Sequence, residues 1–332
     1  MKAITYRKFG AARDVLEITE LAPVPPGPGE VQVRLSYSGV NPSDVKARAG
    51  ARAGVTELPF PVIVPHSDGA GDIVAIGSGV PETLLGTRVW IWNGQWRRAF
   101  GTAAEFVTLP AKQAVAAPAG VSLPVAATLG IPGLTAVHTV LGDGPVRGKT
   151  VLIQGGAGTV GYLAVQIAKW AGARVIATAR EDGLDRVRQA GPDAVIDFTR
   201  SDLAEAILKA NDGKPIDRIV EVEFGLNAET DAAVIAENGR ISAYGSAAAM
   251  VPSLPFYPLM FKAVTLEMAL VYALTTEQRS NAVSQLNQAL EDKALEVPIA
   301  KIFDFENCAA AHEMVEQGHR AGSVLVRIAG DD

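Results

Sequence analysis

The chain has 332 residues, 48% of them hydrophobic, a formal net charge of −6 and a single cysteine, Cys308. A chain this long makes two domains rather than one, with ample material for a core. The acidic balance, free of blocks of like charge, argues against nucleic acid as a partner, and one cysteine excludes an internal disulfide or a multi-cysteine metal site.

The opening segment Met1-Lys2-Ala3-Ile4-Thr5-Tyr6 lacks the apolar core of a secretory signal. No run of about 18 uncharged apolar residues occurs, so a cytoplasmic protein without a membrane span is expected. Residues 1–128 read as mostly β: alternating runs such as Val31 to Tyr37 lie between Pro- and Gly-rich turns. Pro23 to Gly29 is a stiff connector that no helix interior accommodates. From residue 129 the pattern changes. Strand-like runs at 151–154, 174–179, 194–197, 218–222 and 239–244 alternate with helical stretches, the signature of βαβ units and a parallel, doubly wound sheet. A further strand is expected within Val264–Leu270 and a polar-faced helix over Thr276–Lys293, followed by strand, helix and strand at Ala300–Phe303, Glu306–Gln317 and Ser323–Ile328.

The densest signal is the G-x-G-x-x-G on Gly156, Gly158 and Gly161, after the apolar run Val151-Leu152-Ile153 and before a helical pattern. A dinucleotide site needs the first glycine for a tight turn, the second for backbone approach to a pyrophosphate and the third for close helix–strand packing. Ala157, Gly158, Thr159 and Val160 are the expected pyrophosphate contacts, aided by the positive end of the helix. At the end of the second strand an NAD site usually carries an acidic residue for the ribose 2′-OH. This chain has Ala179 and Arg180 there. A guanidinium pairs bidentately with a 2′-phosphate, so NADPH is favoured over NADH. Two alternatives stay open: Glu181 or Asp182 swings in to bind ribose, or Arg180 is a solvated loop charge.

These features together resemble the medium-chain dehydrogenase/reductase superfamily, and within it the zinc-free quinone oxidoreductase branch that contains zeta-crystallin. The resemblance rests on Met1–Ile4 with Phe9-Gly10, on Gly39–Asp44, on Pro65–Gly71, where His66 replaces a glycine, on the glycine loop with Gln166-Ile167-Ala168, and on Ala311-His312-Glu313 with Gly318 and Gly322. It implies an α/β architecture: a GroES-like β domain of residues 1–128 and 276–332, and a Rossmann NADP-binding domain of residues 129–275. It also implies a ligand cleft between the two and a homodimer formed through the strand near Val264–Leu270.

The resemblance carries site residues with it. Asn41 is placed near the nicotinamide as an amide donor, or serves only as a turn residue before Pro42. Lys46, where relatives have a tyrosine, either stabilises developing negative charge or is a solvated lysine. Thr135 matches a helix start facing the ring. Phe198 stacks on the adenine or belongs to the core. Tyr244, Gly245 and Ser246 flank the nicotinamide, and Leu270 and Val271 present backbone to its carboxamide. Trp92 and Trp96 line a flat pocket for a quinone ring or serve packing. Trp90 and Trp92 are expected on one strand face.

No metal is expected. Zinc alcohol dehydrogenases of this superfamily carry Cys and His where this chain has Asn41 and Ser67, and the four histidines, His66, His138, His312 and His319, are scattered without ligand spacing. Without a Lewis acid a simple ketone is hard to reduce. A quinone yields a phenolate-like anion, whose conjugate acid has a pKa of about 10, and needs less assistance. A quinone is therefore the expected substrate. An enone or enoyl thioester is the nearest rival, and a non-catalytic, crystallin-like NADPH-binding protein is the alternative of a different class.

Overall fold

The structure is a computed structural model and describes residues 1–52 and 54–328. It divides into two compact units: Met1–Ile131 together with the segment that begins at Val297, and Pro132–Glu296.

The first unit is built on a seven-stranded sheet. Its longest strand, Glu30–Val40, pairs antiparallel with Asp68–Ile76, Phe106–Pro110 and Ser323–Arg327. Val31, Val33 and Leu35 alternate inward and meet Ile73, Val89, Ile91, Val107 and Leu109. Full burial of each such aliphatic contributes about 1.5–3 kcal/mol. Ile299–Asp304 runs parallel to Ser323–Arg327, joined through the helix Cys308–Gln317. That helix packs Cys308, Ala311 and Val315 against Ile4, Val40 and Val324. Gly71 sits where the two long strands approach most closely: a Cβ there would stand 1.9 Å from the Arg34 carbonyl oxygen.

The second unit is a six-stranded, wholly parallel sheet. In spatial order its strands are Ala194–Asp197, Arg174–Ala179, Thr150–Ile153, Ile216–Glu221, Ile235–Ala243 and Thr265–Met268. The chain order reverses between Thr150–Ile153 and Ile216–Glu221, the point at which such sheets bind ligands. The central strand Thr150–Ile153 is buried throughout, which is why Val151-Leu152-Ile153 reads as a continuous apolar run. The expected strands all form, within a few residues of their predicted ends.

One boundary moves. The helix Thr276–Glu291, expected in the β domain, belongs to the second unit. Ala282, Leu286 and Ala289 are buried on its inner face. Past its end the Gln166 side chain holds Glu296 by both backbone groups, at 2.7 and 3.0 Å. The unit therefore closes at Glu296 rather than at residue 275. No helix among the described residues is long and apolar enough to cross a membrane.

Candidate functional site

The strand Thr150–Ile153 runs into a turn whose left-handed residue is Gly155, at φ +70°, one position ahead of the glycine triplet. The triplet then divides its labour. A Cβ on Gly156 would meet Ala177 and Val187 at 3.1–3.3 Å, and one on Gly161 would meet the Gly155 carbonyl oxygen at 2.3 Å. These two glycines permit packing. A Cβ on Gly158 would meet nothing nearer than 3.4 Å and would fill the open side of the loop. Only there is the absent side chain space for a ligand. The helix Thr159–Trp170 starts at once and turns the N–H groups of its first turn toward the loop.

A polar chain holds this cradle from behind. The Gly155 N–H donates to Thr178 Oγ1 (3.1 Å), Thr178 Oγ1 donates to Gln154 Oε1 (2.7 Å), and Gln154 Nε2 donates to Asp231 Oδ1 (3.1 Å). Asp231 also feels the charge of Glu221, which accepts from Asn227 Nδ2 at 3.1 Å. Burial pushes both carboxyls up, Asp231 well above the carboxylate range and further through the charge of Glu221. Arg186 Nε adds a bond to the Ala157 carbonyl (2.9 Å) with its guanidinium 4.8 Å above the Tyr162 ring. Sequence reasoning missed Gln154, Thr178, Glu221, Asp231 and Arg186. Only Gln154 adjoins a motif; the others are single polar residues whose meeting depends on the sheet.

Because every strand is parallel, all carboxyl ends lie on one edge of the sheet. That edge gathers the glycine loop, Arg180 after the second strand, Phe198 after the third, Tyr244 to Ser246 after the fifth and Leu270 and Val271 after the sixth. Arg180 is exposed and has no side-chain partner among the described residues. Phe198 is 40% exposed, so it is not core. Gly245 passes close to its neighbour: a Cβ would stand 2.3 Å from the Val222 carbonyl oxygen. Ser246 Oγ accepts from the Gly225 N–H (3.0 Å) and donates to the Ala249 carbonyl (2.5 Å). Leu270 is exposed and Val271 buried. Thr135 is buried in the first turn of the helix Leu134–Leu141.

In the first unit Asn41 ends the strand Glu30–Val40 and precedes the helix Pro42–Ala49. One donor of its amide is used: Nδ2 donates to Asp68 Oδ2 at 2.9 Å, and the Ile131 N–H reaches the same oxygen at 3.0 Å. Burial raises the Asp68 carboxyl well above its ordinary range. Lys46 is exposed and has no side-chain partner among the described residues. Trp92 is buried and Trp96 half-buried, with Arg97 over the Trp96 ring at 5.5 Å. The expectation that Trp90 and Trp92 share a strand face fails. The strand Arg88–Ile91 stops before Trp92 because the chain turns through Asn93 and Arg97 at φ +54° and +58°.

Among Asn41, Ser67 and Asp68 only Asp68 offers a carboxylate to a metal. An amide is a poor zinc ligand and Ser67 carries a neutral hydroxyl; the Asp68 carboxyl accepts two hydrogen bonds on Oδ2, while its buried Oδ1 has no hydrogen-bond partner among the described residues. The histidines, however, are not all scattered. His66 and His312, 246 residues apart in sequence, meet Nε2 to Nε2 at 2.8 Å beside Cys308. The available signal was Cys308 and His312 four apart on a helix, with His66 beside a ligand position.

Comparison with known proteins places these features. Residues 27–119 match the family described as alcohol dehydrogenase GroES-like domain, and residues 159–289 the family described as zinc-binding dehydrogenase. A chloroplast envelope quinone oxidoreductase homolog of Arabidopsis thaliana is 32% identical over 246 residues, 73% of this chain and 74% of the relative. A solved NAD-dependent alcohol dehydrogenase is similar with a TM-score of 0.86 and 28% identity, covering 99% of this chain and 100% of that one. A mycobacterial protein solved in complex with NADPH is similar with a TM-score of 0.84 and 27% identity, covering 98% and 99%.

Proposed function

Because the chain belongs to the quinone oxidoreductase branch of the medium-chain dehydrogenase/reductase superfamily, and is an oxidoreductase of GroES-like and Rossmann-like units, we propose that it passes hydride from NADPH to a quinone without a catalytic metal. The observation that carries the reading is Gly158, whose missing Cβ leaves open the one face of the loop where a pyrophosphate fits.

Gly156 to Gly161 would hold the pyrophosphate, and Arg180 the 2′-phosphate. The unpartnered Arg180 guanidinium supports that choice, since no carboxylate competes for it. Phe198 offers its exposed ring to the adenine. Tyr244 to Ser246, Leu270, Val271 and Thr135 would border the nicotinamide. When bound, the cofactor supplies the hydride. The residues of the first unit supply placement and charge. Asn41, held by Asp68, and Lys46 are the residues of that unit proposed to act on the acceptor, Asn41 by positioning and Lys46 by its charge. With Asn41 and Ser67 in place of zinc ligands, the acceptor must form a stable anion unaided, and a quinone does so. Trp92 and Trp96 are the proposed aromatic surface for it. The single buried thiol suits a reducing compartment such as the cytoplasm.

The edge strand Thr265–Met268 and the segment that leads into it carry exposed Val251, Tyr257, Phe261 and Met268, between 65 and 93% accessible, residues suited to meeting a second copy of the chain. Phe261→Asp should then sediment as a monomer; a wild type already monomeric sinks the dimer.

The test is NADPH oxidation with phenanthrenequinone, a simple enone and a saturated ketone. Quinone turnover should lead. Turnover of the ketone alone would contradict the metal-free reading, and enone turnover alone would select the rival substrate class. Arg180→Ala should weaken NADPH by about tenfold, the loss of a charge-assisted contact, and leave NADH nearly unchanged. Equal losses would remove Arg180 from the site.

A further inference from the structure

Three buried side chains of the first unit are used by no step above: His66, Cys308 and His312. One ring nitrogen of each histidine and the Cys308 Sγ lie within 4.8 Å of one another. None of the three is more than 2% exposed. Cys308 and His312 stand four apart on the helix Cys308–Gln317 and so share a face. His66 faces them from a backbone at φ +76°, a region that favours glycine and that a ring-bearing residue rarely adopts. Such an outlier, held inside a core, points to a role beyond packing.

The hydrogen bonds fix the protons. Thr102 Oγ1 donates to the Asp68 carbonyl (2.6 Å), so it accepts from Ser38 Oγ (2.8 Å). Ser38 has no second proton and must accept from His66 Nδ1 (2.8 Å). His66 Nε2 is therefore a bare lone pair, aimed at its partners by a hydroxyl behind the ring, the arrangement that orients metal-binding histidines. It accepts from His312 Nε2–H, which leaves His312 Nδ1 bare, and that buried atom has no hydrogen-bond partner among the described residues.

We propose that His66, His312 and Cys308 form a three-coordinate site for a soft monovalent cation, of which copper(I) is the biological example. Thiolate and imidazole are the ligands that select it. Charge selects it as well. Two neutral imidazoles and one thiolate bring a single negative charge, which a monovalent ion cancels. Zinc would bring a second charge that these three ligands do not cancel and would want a fourth ligand, whereas the described residues bring three together here. Burial, and then the Asp44 charge, push the Cys308 thiol up to about 12, so it ionises only to a bound ion. Binding exchanges one cation for the thiol proton; the imidazole proton of His312 moves to its other nitrogen with no net release. The two Nε2 atoms must part from 2.8 Å to about 3.5 Å around an ion at about 2.0 Å from each.

The experiment titrates the reduced full-length protein anaerobically with copper(I) against a chromogenic copper(I) chelator, and with zinc(II) in parallel. One copper(I) per chain should be retained, with X-ray absorption showing one sulfur and two nitrogen ligands, and zinc should bind at least 100-fold more weakly. Cys308→Ser and His312→Gln should each lose copper(I) affinity by 100-fold or more, while His319→Gln keeps it. Should the variants unfold, the wild-type absorption spectrum decides: a sulfur-free shell, or no retained copper(I), overturns the site. Zinc held as tightly by the same three residues overturns the assignment of the ion.

Discussion

In the unit Pro132–Glu296 the residues proposed to meet the nucleotide collect at one edge of a parallel sheet; in the other unit a cluster of polar side chains is buried within the fold. The glycine loop, Arg180, Phe198 and Tyr244 all stand where strands end. Asn41, Asp44, His66, Asp68 and His312 are instead less than 9% exposed in the sheet-and-helix interior of the first unit. The first arrangement leaves donors facing outward for a ligand. The second spends most donors on each other, at the cost of desolvating them. A site of the first kind is built by strand order; one of the second kind depends on many exact contacts.

The contrast can be broken or sharpened by substitution. The largest effect should come from the glycine triplet. Gly161→Ala drives a methyl against the Gly155 carbonyl and should lower stability by about 1–3 kcal/mol while abolishing nucleotide binding. Gly158→Ala points into open space and should leave the urea midpoint almost unmoved, yet weaken NADPH at least tenfold. If both variants unfold alike, Gly158 has only a packing role. Behind the loop, Asp231→Ala strands Gln154 and should destabilise by about 1–3 kcal/mol, while Asp231→Asn, which mimics the protonated acid, should stay within about 1 kcal/mol in chemical denaturation. A costly Asp231→Asn would mean that the residue is ionised.

The smallest effect is acid-dependent. The His138 hydrogen bond (2.8 Å) first, then the Ser242 hydroxyl and Arg240, hold the Glu267 carboxyl down at about 2 against burial. A depressed carboxyl stabilises the fold above its unfolded pKa of about 4.3, and that stability drains away as pH falls toward 2. Hydrogen exchange in the helix Leu134–Leu141 should therefore quicken below that point in the wild type, and Glu267→Gln should flatten the dependence. An unchanged profile in the variant would move the acid sensitivity elsewhere.

What the sequence revealed follows the same division. The nucleotide loop and its six strands were readable because the signals are local: about 30 residues carry strand, turn, helix and strand. Arg180 and Phe198 were placed by counting from those strands. The groups behind the loop were not readable, since Asp231 meets Gln154 only across the finished sheet. In the first unit the pairing of His66 with His312 joins opposite ends of the chain, and no periodicity reports it. The helix Thr276–Glu291 was seen as a helix but given to the wrong unit, because its polar face says nothing of what its apolar face covers. The strand at Trp90 was extended too far, since alternation cannot show where a left-handed turn cuts in.

The strand Ser323–Arg327 lies between Ile299–Asp304 and the long strand Glu30–Val40, whose residues Tyr37–Val40 pair with it. During synthesis on the ribosome, that flank of Glu30–Val40 lacks this neighbour until residues 323–327 have emerged. The parallel-sheet unit can complete itself meanwhile, whereas the nascent N-terminal sheet waits with an open hydrogen-bonding rim. That waiting period is when chaperones would be needed most, and translation stalled past residue 296 should leave a folded middle flanked by a sticky, unfinished beginning.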